Sequence, residues 1–419
     1  MRHRQGSVVV LLLALAASCG THRPPAKAPH AEEIEVAAPD ERGMDARPLV
    51  KLAEWVRDAH PPIFSLLVSR DGVLVFELYT SSLGRDEAHY LMSVTKSVTS
   101  ALMGIAMDRH LVGPPETAVA DALPPSIFFD EADRARFRSV TIKDLLGMSA
   151  LDALVPPHRR LPEDVQRQKD FLVSENRARF ALTQALLPHP GTDFQYTDVT
   201  PMIATGILEY ATKTSALEFA EEALFRPMGF RNYEWMHQDA SGIDNGAYGL
   251  RLRPIDMQKF GILFLRGGTW NGTPLLPKSW VDRSFSPWIR SSPGVRLPNY
   301  GWYWWLNRYG PHWEAHVASG WKGQRIAVIP EKGIVVTMTG IVDDEDEGVF
   351  FERIMEGYIV PSVDGAHGTP AVPDARLRQP LAALLAEVRG GPLRVKTDVE
   401  SRMIPSVASK ERHHGFAPR

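Results

Sequence analysis

Two hairpin patterns at opposite ends of the chain constrain its fold more than anything between them. Near the start, the strand-like runs Ile63–Val68 and Val73–Tyr79 are joined around Asp71-Gly72, a dipeptide suited to a tight hairpin turn. Far downstream, Gln324–Ile329 and Ile334–Thr339 flank Pro330-Glu331-Lys332-Gly333, a turn sequence. Helical patterns fill the space between. Together these features predict an α+β fold, an antiparallel sheet flanked by helices and assembled from both ends of the chain. Ile142–Met148, Arg177–Leu187, Thr200–Thr212 and Ala216–Phe225 are helix candidates within a mainly helical lobe, inserted at about residues 110–235. Arg47–Ala59, Pro254–Arg266 and Leu377–Val388 carry helical spacing outside that lobe.

The termini read differently. Arg2, His3 and Arg4 precede an apolar run, Val8 to Ala17, of signal-peptide length. Ala16-Ala17-Ser18 then leads into Cys19, the only cysteine, so no intramolecular disulfide is available. Two readings stand: a plain secretory signal, or a bacterial lipoprotein signal with Cys19 as the lipidated residue. The second predicts a chain exported to the cell envelope and tethered to a membrane without spanning it. No apolar run reaches the roughly 18 residues of a membrane span. Residues 1–18 are therefore expected to be a signal peptide and 19–45, rich in Pro, Ala, Glu and Asp, a flexible tether. Residues 46–365 would form the folded domain and 366–419 a loosely packed C-terminal extension. The net charge of −3 gives no footprint for nucleic acid. The acidic run at 343–347 reads as a solvated loop rather than a metal site, and no cofactor motif is visible.

The chemistry centres on Ser93-Val94-Thr95-Lys96, which opens a helix striped by Val94, Val98, Ala101, Leu102 and Ile105. Three residues apart, Ser93 and Lys96 share one helix face. A serine hydroxyl is a poor nucleophile until a base takes its proton. A lysine serves if its surroundings lower its pKa, and Ser–Lys pairs are a known variant of the triad. The four-residue pattern recurs at Ser319-Gly320-Trp321-Lys322, where glycine and an adjoining strand pattern remove the helical geometry. Tyr196-Thr197-Asp198 follows the turn Pro190-Gly191-Thr192 and precedes a helix. A tyrosine there is either a proton-transfer group or a half-buried core residue.

With Ser93 and Tyr196 taken together, the chain resembles the serine β-lactamase and penicillin-binding family. M-S-V-T-K-S at 92–97 is similar to its nucleophile motif, and P-G-T-D-F-Q-Y-T-D at 190–198 to its tyrosine motif, usually written Y-x-N. Further matches are V-T-I-K-D-L-L-G-M-S-A at 140–150, the segment 249–261, Y-G-W-Y-W-W at 300–305 and S-G-W-K-G-Q-R-I-A-V-I-P at 319–330. The resemblance spans about 46–365 and is strongest to the class C branch, especially its esterases and 6-aminohexanoate-dimer hydrolases. It implies a β-lactamase/transpeptidase-like fold and a cofactor-free acyl transfer. Ser93 would be acylated, with Lys96 and Tyr196 moving protons; which of the two is the acylation base stays open. The backbone N–H groups of Ser93 and Trp321 would hold the oxyanion. Asp198, Ser319 and Gly320 would line the substrate, as would His316, which reads either as a stand-in cation there or, as a lone strand histidine more often is, as structural.

Two departures shape the expected activity. The family's third motif is usually K-T-G, whose lysine pairs with a substrate carboxylate; here His316-Val317-Ala318-Ser319-Gly320 has no lysine before the glycine. Asp198 stands where Asn is usual, and pairing with Lys96 would raise that lysine's pKa and weaken it as a resting base. The expected substrates are small esters first, linear amides or D-peptides second and β-lactams last. The alternative is a non-catalytic or slowly acylating sensor that binds peptidoglycan or peptide on the same scaffold.

Overall fold

A computed structural model of the protein describes residues 34–80, 84–152, 162–236, 238–290, 299–343, 346–365 and 371–390. Cys19 and the signal-peptide segment lie outside them.

Eight antiparallel strands form the main sheet. They are β1 (Ile63–Arg70), β2 (Val73–Tyr79), β3 (Ile289–Arg290), β4 (Asn299–Tyr300), β5 (Trp305–Tyr309), β6 (Trp313–Gly320), β7 (Gln324–Ile329) and β8 (Ile334–Gly340). Their spatial order is β3-β4-β5-β6-β7-β8-β1-β2. Both expected hairpins are present, and β1 pairs directly with β8 through Leu66↔Met338 and Val68↔Val336. The sheet is thus closed by strands from the two ends of the chain. The pattern did not single out β5 or the body of β6 as strands.

Alternation along each strand feeds two cores. Leu67, Ile326, Val328 and Val335 join one core, while Leu66, Val68, Ala327, Ile329, Val336 and Met338 join the other. Helices cover both faces, so the central strands read as continuous apolar runs rather than as half-polar ones. Helix α1 (Ala46–Ala59) packs on the second core; helices α2 (Val94–Asp108), α3 (Thr200–Thr212) and α4 (Pro254–Leu265) build the first. No helix among the described residues is long and apolar enough to cross a membrane.

Helix α2 is buried on every side from Val94 to Ala106, not on a single stripe as its apolar spacing suggests. Its small hydroxyls make this possible because each finds a partner. Ser97 Oγ donates to the Tyr303 carbonyl at 2.6 Å, Thr99 Oγ1 to the Gly246 carbonyl at 2.9 Å, and Thr95 Oγ1 accepts from the Leu250 N–H at 3.2 Å. These bonds tie the helix to the loops that complete the site.

Two terminal expectations need correction. Residues 34–45 are not a free tether: Ile34 and Met44 are buried, and the Glu35 carbonyl accepts from Leu74 N–H at 2.8 Å beside β2. Asp45 caps α1 by accepting from Arg47 N–H at 2.9 Å. Nor is the C-terminal stretch loosely packed throughout. Helix α5 (Arg378–Gly390) buries Leu381, Leu384 and Val388 against the α1 side of the sheet. Arg378 also pairs with Asp40 at 2.5 Å, so the two ends of the described chain hold one another. The acidic run is corrected in part: Glu347 begins a helix and pairs with the largely buried Arg325 at 3.1 Å.

Candidate active site

Ser93 occupies the N-cap of α2, one residue after Met92, whose φ of 48° is left-handed. That φ is uncommon for a side chain of this size and marks local strain. It turns the chain sharply, so the serine leads the helix. The first-turn N–H groups of Val94, Thr95 and Lys96 reach the carbonyls of Leu91, Met92 and Ser93. The Ser93 N–H has no backbone acceptor among the described residues. A helix N-terminus places partial positive charge there.

Lys96 rises one turn inside α2 and is 1% exposed. Its Nζ donates to Ser93 Oγ at 2.9 Å, to Asp198 Oδ1 at 2.8 Å and to the Ala247 carbonyl at 2.9 Å. Burial pulls the ammonium pKa down, but the Asp198 carboxylate, aided by the Tyr196 phenol, outweighs burial and holds it above the ordinary lysine value. Asp198 therefore pairs with Lys96, as its acidic character suggested.

Tyr196 stands 5.1 Å, ring centroid to Lys96 Nζ, from the pair. It stacks on Trp305 at 5.3 Å and meets the edge of Tyr300 at 6.2 Å. The turn that carries it is anchored to the 140–150 segment: Gly191 N–H donates to the Ser149 carbonyl and Gln195 N–H to that of Met148, each at 2.8 Å. Thr197 Oγ1 then accepts from Thr200 N–H at 3.1 Å, starting α3 just beyond Asp198.

The third wall is the end of β6. Gly320 has no room for a side chain: a Cβ there would stand 2.3 Å from the Leu91 carbonyl oxygen, next to the nucleophile turn. Trp321 follows in a short turn beyond the strand, not on it, and packs against the cluster of Phe64, Tyr90, Met92 and Ile341. Lys322, the lysine of the second S-x-x-K copy, sits in this turn at φ 64°. Ser319 is half-buried and pairs with Arg325 across the sheet. The buried Gln324 amide donates to the carbonyls of Trp321 at 3.1 Å and Gly340 at 2.8 Å. Arg325 donates to the Gly320 carbonyl at 2.6 Å. Gln324→Ala is expected to lower stability by about 2–3 kcal/mol, because buried backbone groups lose their partners. Urea unfolding followed by tryptophan fluorescence reads this; an unchanged midpoint would show that the amide clamp is dispensable.

Ser319, on the Val317 face of β6 that packs into the second core, is not brought to the pair, and neither is His316. It lies on the face of Ala318 and Gly320, four residues before the strand ends, and stacks on Phe285 at 3.8 Å and 5°. Burial pushes its imidazolium pKa down to about 4. It is neutral near pH 7 and cannot stand in for the missing lysine. The sign of its pH effect follows: the unfolded chain binds the proton more tightly, so stability falls as pH drops from about 6.5 towards 4. His316→Phe is expected to flatten that part of the pH–stability curve, measured by urea midpoints at pH 7 and pH 5.

Sequence reasoning missed the loop 245–249. The Ala247 carbonyl holds Lys96, and Asn245 Oδ1 shapes the loop by accepting from the N–H groups of Ala247 at 3.0 Å and Tyr248 at 3.1 Å. Burial, then the Asp198 carboxylate, push the Tyr248 phenol pKa up. Only the run Asp244-Asn245-Gly246-Ala247-Tyr248-Gly249, just ahead of the 249–261 segment, hints at this role. Among the described residues, no group of His, Asp and Glu is placed to hold a metal ion.

The beta-lactamase family model matches residues 52–345. The chain belongs to this family. Beta-lactamase-family membership fixes the fold and the general class, a serine hydrolase. Solved structures of the same fold include a putative 6-aminohexanoate-dimer hydrolase from Bacillus anthracis, with 20% identity and a TM-score of 0.61, covering 79% of this chain and 87% of that one. EstCE1, a hydrolase with promiscuous acyltransferase activity, has 15% identity and a TM-score of 0.61 over 76% of this chain and 99% of its own. An octameric penicillin-binding protein homologue from Pyrococcus abyssi has 15% identity and a TM-score of 0.58, covering 78% and 79%. A comparison with curated proteins gave no match. Against the beta-lactamase pattern, the residue two before the third-motif glycine is the buried Ala318.

Proposed function

We propose that the protein hydrolyses esters or amides through an acyl-enzyme on Ser93, with Lys96 and Tyr196 as its proton-transfer groups. The observation that carries this is the 2.9 Å contact of Lys96 Nζ with Ser93 Oγ in a site closed by Asp198 and Tyr196. Ser93 Oγ attacks the substrate carbonyl, and the oxyanion is held by the N–H groups of Ser93 and Trp321. The leaving group departs with a proton from Tyr196 or Lys96. Water then attacks the acyl-enzyme and restores Ser93.

Substrate preference follows from what surrounds the serine. With Ala318 in place of a lysine and His316 neutral, no third-motif cation recognises a carboxylate. Aromatic rings of Tyr196, Tyr300 and Trp305 wall the tyrosine side, which favours neutral, apolar acyl or alcohol groups. Small esters rank ahead of linear amides, and β-lactams rank last. A slowly acylating peptide binder is the second reading, favoured by the Lys96–Asp198 pair, which keeps the lysine from acting as a free base.

Product release from p-nitrophenyl butyrate, counted per chain, separates the two. Many turnovers, with a chromogenic cephalosporin cleaved far more slowly, are the expected result. One equivalent of product and a stable adduct would mean the binder.

A further inference from the structure

We infer that Asp198 is the proton store of the acyl transfer, Lys96 relaying the Ser93 proton onto its carboxylate. This rests on Ser93 being the nucleophile. An ammonium has three N–H donors and no lone pair. All three donors of Lys96 are engaged, by Ser93 Oγ, Asp198 Oδ1 and the Ala247 carbonyl. The nitrogen can accept a proton only by giving one up. A carbonyl oxygen is too weak a base, and Ser93 is the source of the proton in question. The carboxylate is left. Lys96 is sealed from solvent, whereas the Asp198 side chain is 38% exposed, so Asp198 tolerates both of its charge states.

The step balances. The Ser93 O–H bond breaks as Oγ bonds to the acyl carbon, and that proton passes to Lys96 Nζ. One Lys96 N–H bond breaks in turn, and its proton passes to Asp198. The result is an oxyanion on the substrate, a Lys96 ammonium and a neutral Asp198. When the tetrahedral species collapses, Tyr196 protonates the leaving group. Lys96 reprotonates Tyr196 and recovers its own proton from Asp198. Among the described residues, the charged and titratable groups facing this relay are Tyr196 and Tyr248. Arg177 acts on Tyr248, and Tyr196 in turn helps to push up the buried Tyr300 and Tyr303 phenols.

The relay predicts the direction in which the pH profile moves. In the wild type a proton acceptor already lies 2.8 Å from Lys96 Nζ, so the relay starts without a prior loss of the lysine's proton. Asp198→Asn removes that acceptor, so Lys96 must already be deprotonated before it can act. The acidic limb then moves to higher pH, and activity at pH 6 falls about tenfold for each pH unit the limb travels. Asp198→Glu keeps the limb near its wild-type position. If Asp198 only suppressed a lysine base, Asp198→Asn would move the limb down, or raise activity at pH 6. A limb that stays or falls overturns the relay. The profile is read with p-nitrophenyl butyrate on the full chain. Fluorophosphonate labelling of wild type beside Ser93→Ala tests the underlying reading separately: if Ser93 takes no label, the nucleophile itself is wrong, whatever Asp198 does.

Discussion

Ser93→Ala is expected to reduce p-nitrophenyl butyrate turnover by at least about 10⁴-fold. Removing a nucleophile destroys the covalent route, so binding and the oxyanion donors retain only a small residue of rate. The fold should hardly register the change. Ser93 makes no side-chain cap bond to α2, and without it Lys96 still donates to Asp198 and Ala247. A thermal melt within a degree or two of wild type, alongside lost turnover, is the expected pair of results. Retained turnover would move the chemistry away from this serine.

Lys96→Met is expected to be as damaging to activity and harmless or favourable to stability. Its loss removes the group that contacts Ser93 Oγ and carries its proton. Burying an ammonium costs several kcal/mol, which its ion pair repays only in part, and apolar replacements of buried charges are often neutral or stabilising. Asp198, left without its partner, is exposed enough to be hydrated. A variant that loses stability by more than about 3 kcal/mol would show that the ammonium holds the fold together rather than serving chemistry. Turnover and urea midpoints measured on one preparation separate these outcomes.

Much of the frame was legible in the residues because its signals are local. Asp71-Gly72 and Pro330–Gly333 mark their turns without help from the rest of the chain. Thr200–Thr212 carries enough periodicity to define its own limits. The Ser93–Lys96 relation is a property of one helix turn. What escaped was made of distant partners. Ile34 and Met44 are single apolar anchors in a Pro- and acid-rich stretch, with no period to betray them. Strand β5 (Trp-Leu-Asn-Arg-Tyr) mixes charge with aromatics because it lies towards the sheet edge. His316 left two readings open, stand-in cation or structural strand histidine, because its partner Phe285 is distant in sequence. The Ala247 carbonyl could not be read at all, since a backbone acceptor leaves no mark on residue type.

The pairing of β1 with β8 has a consequence for how the protein comes into being on the ribosome. The strand that closes the sheet is the last of its eight to be synthesised, about 270 residues after its partner. Closing so long a loop is slow and cannot begin until that late segment has emerged. The nascent chain must therefore wait with β1 and β2 unpaired on one side. Any chain released before Gly320 lacks the wall beside the nucleophile turn. Competence arrives once, after Gly340 has emerged, and no product released before then carries a partial share of it.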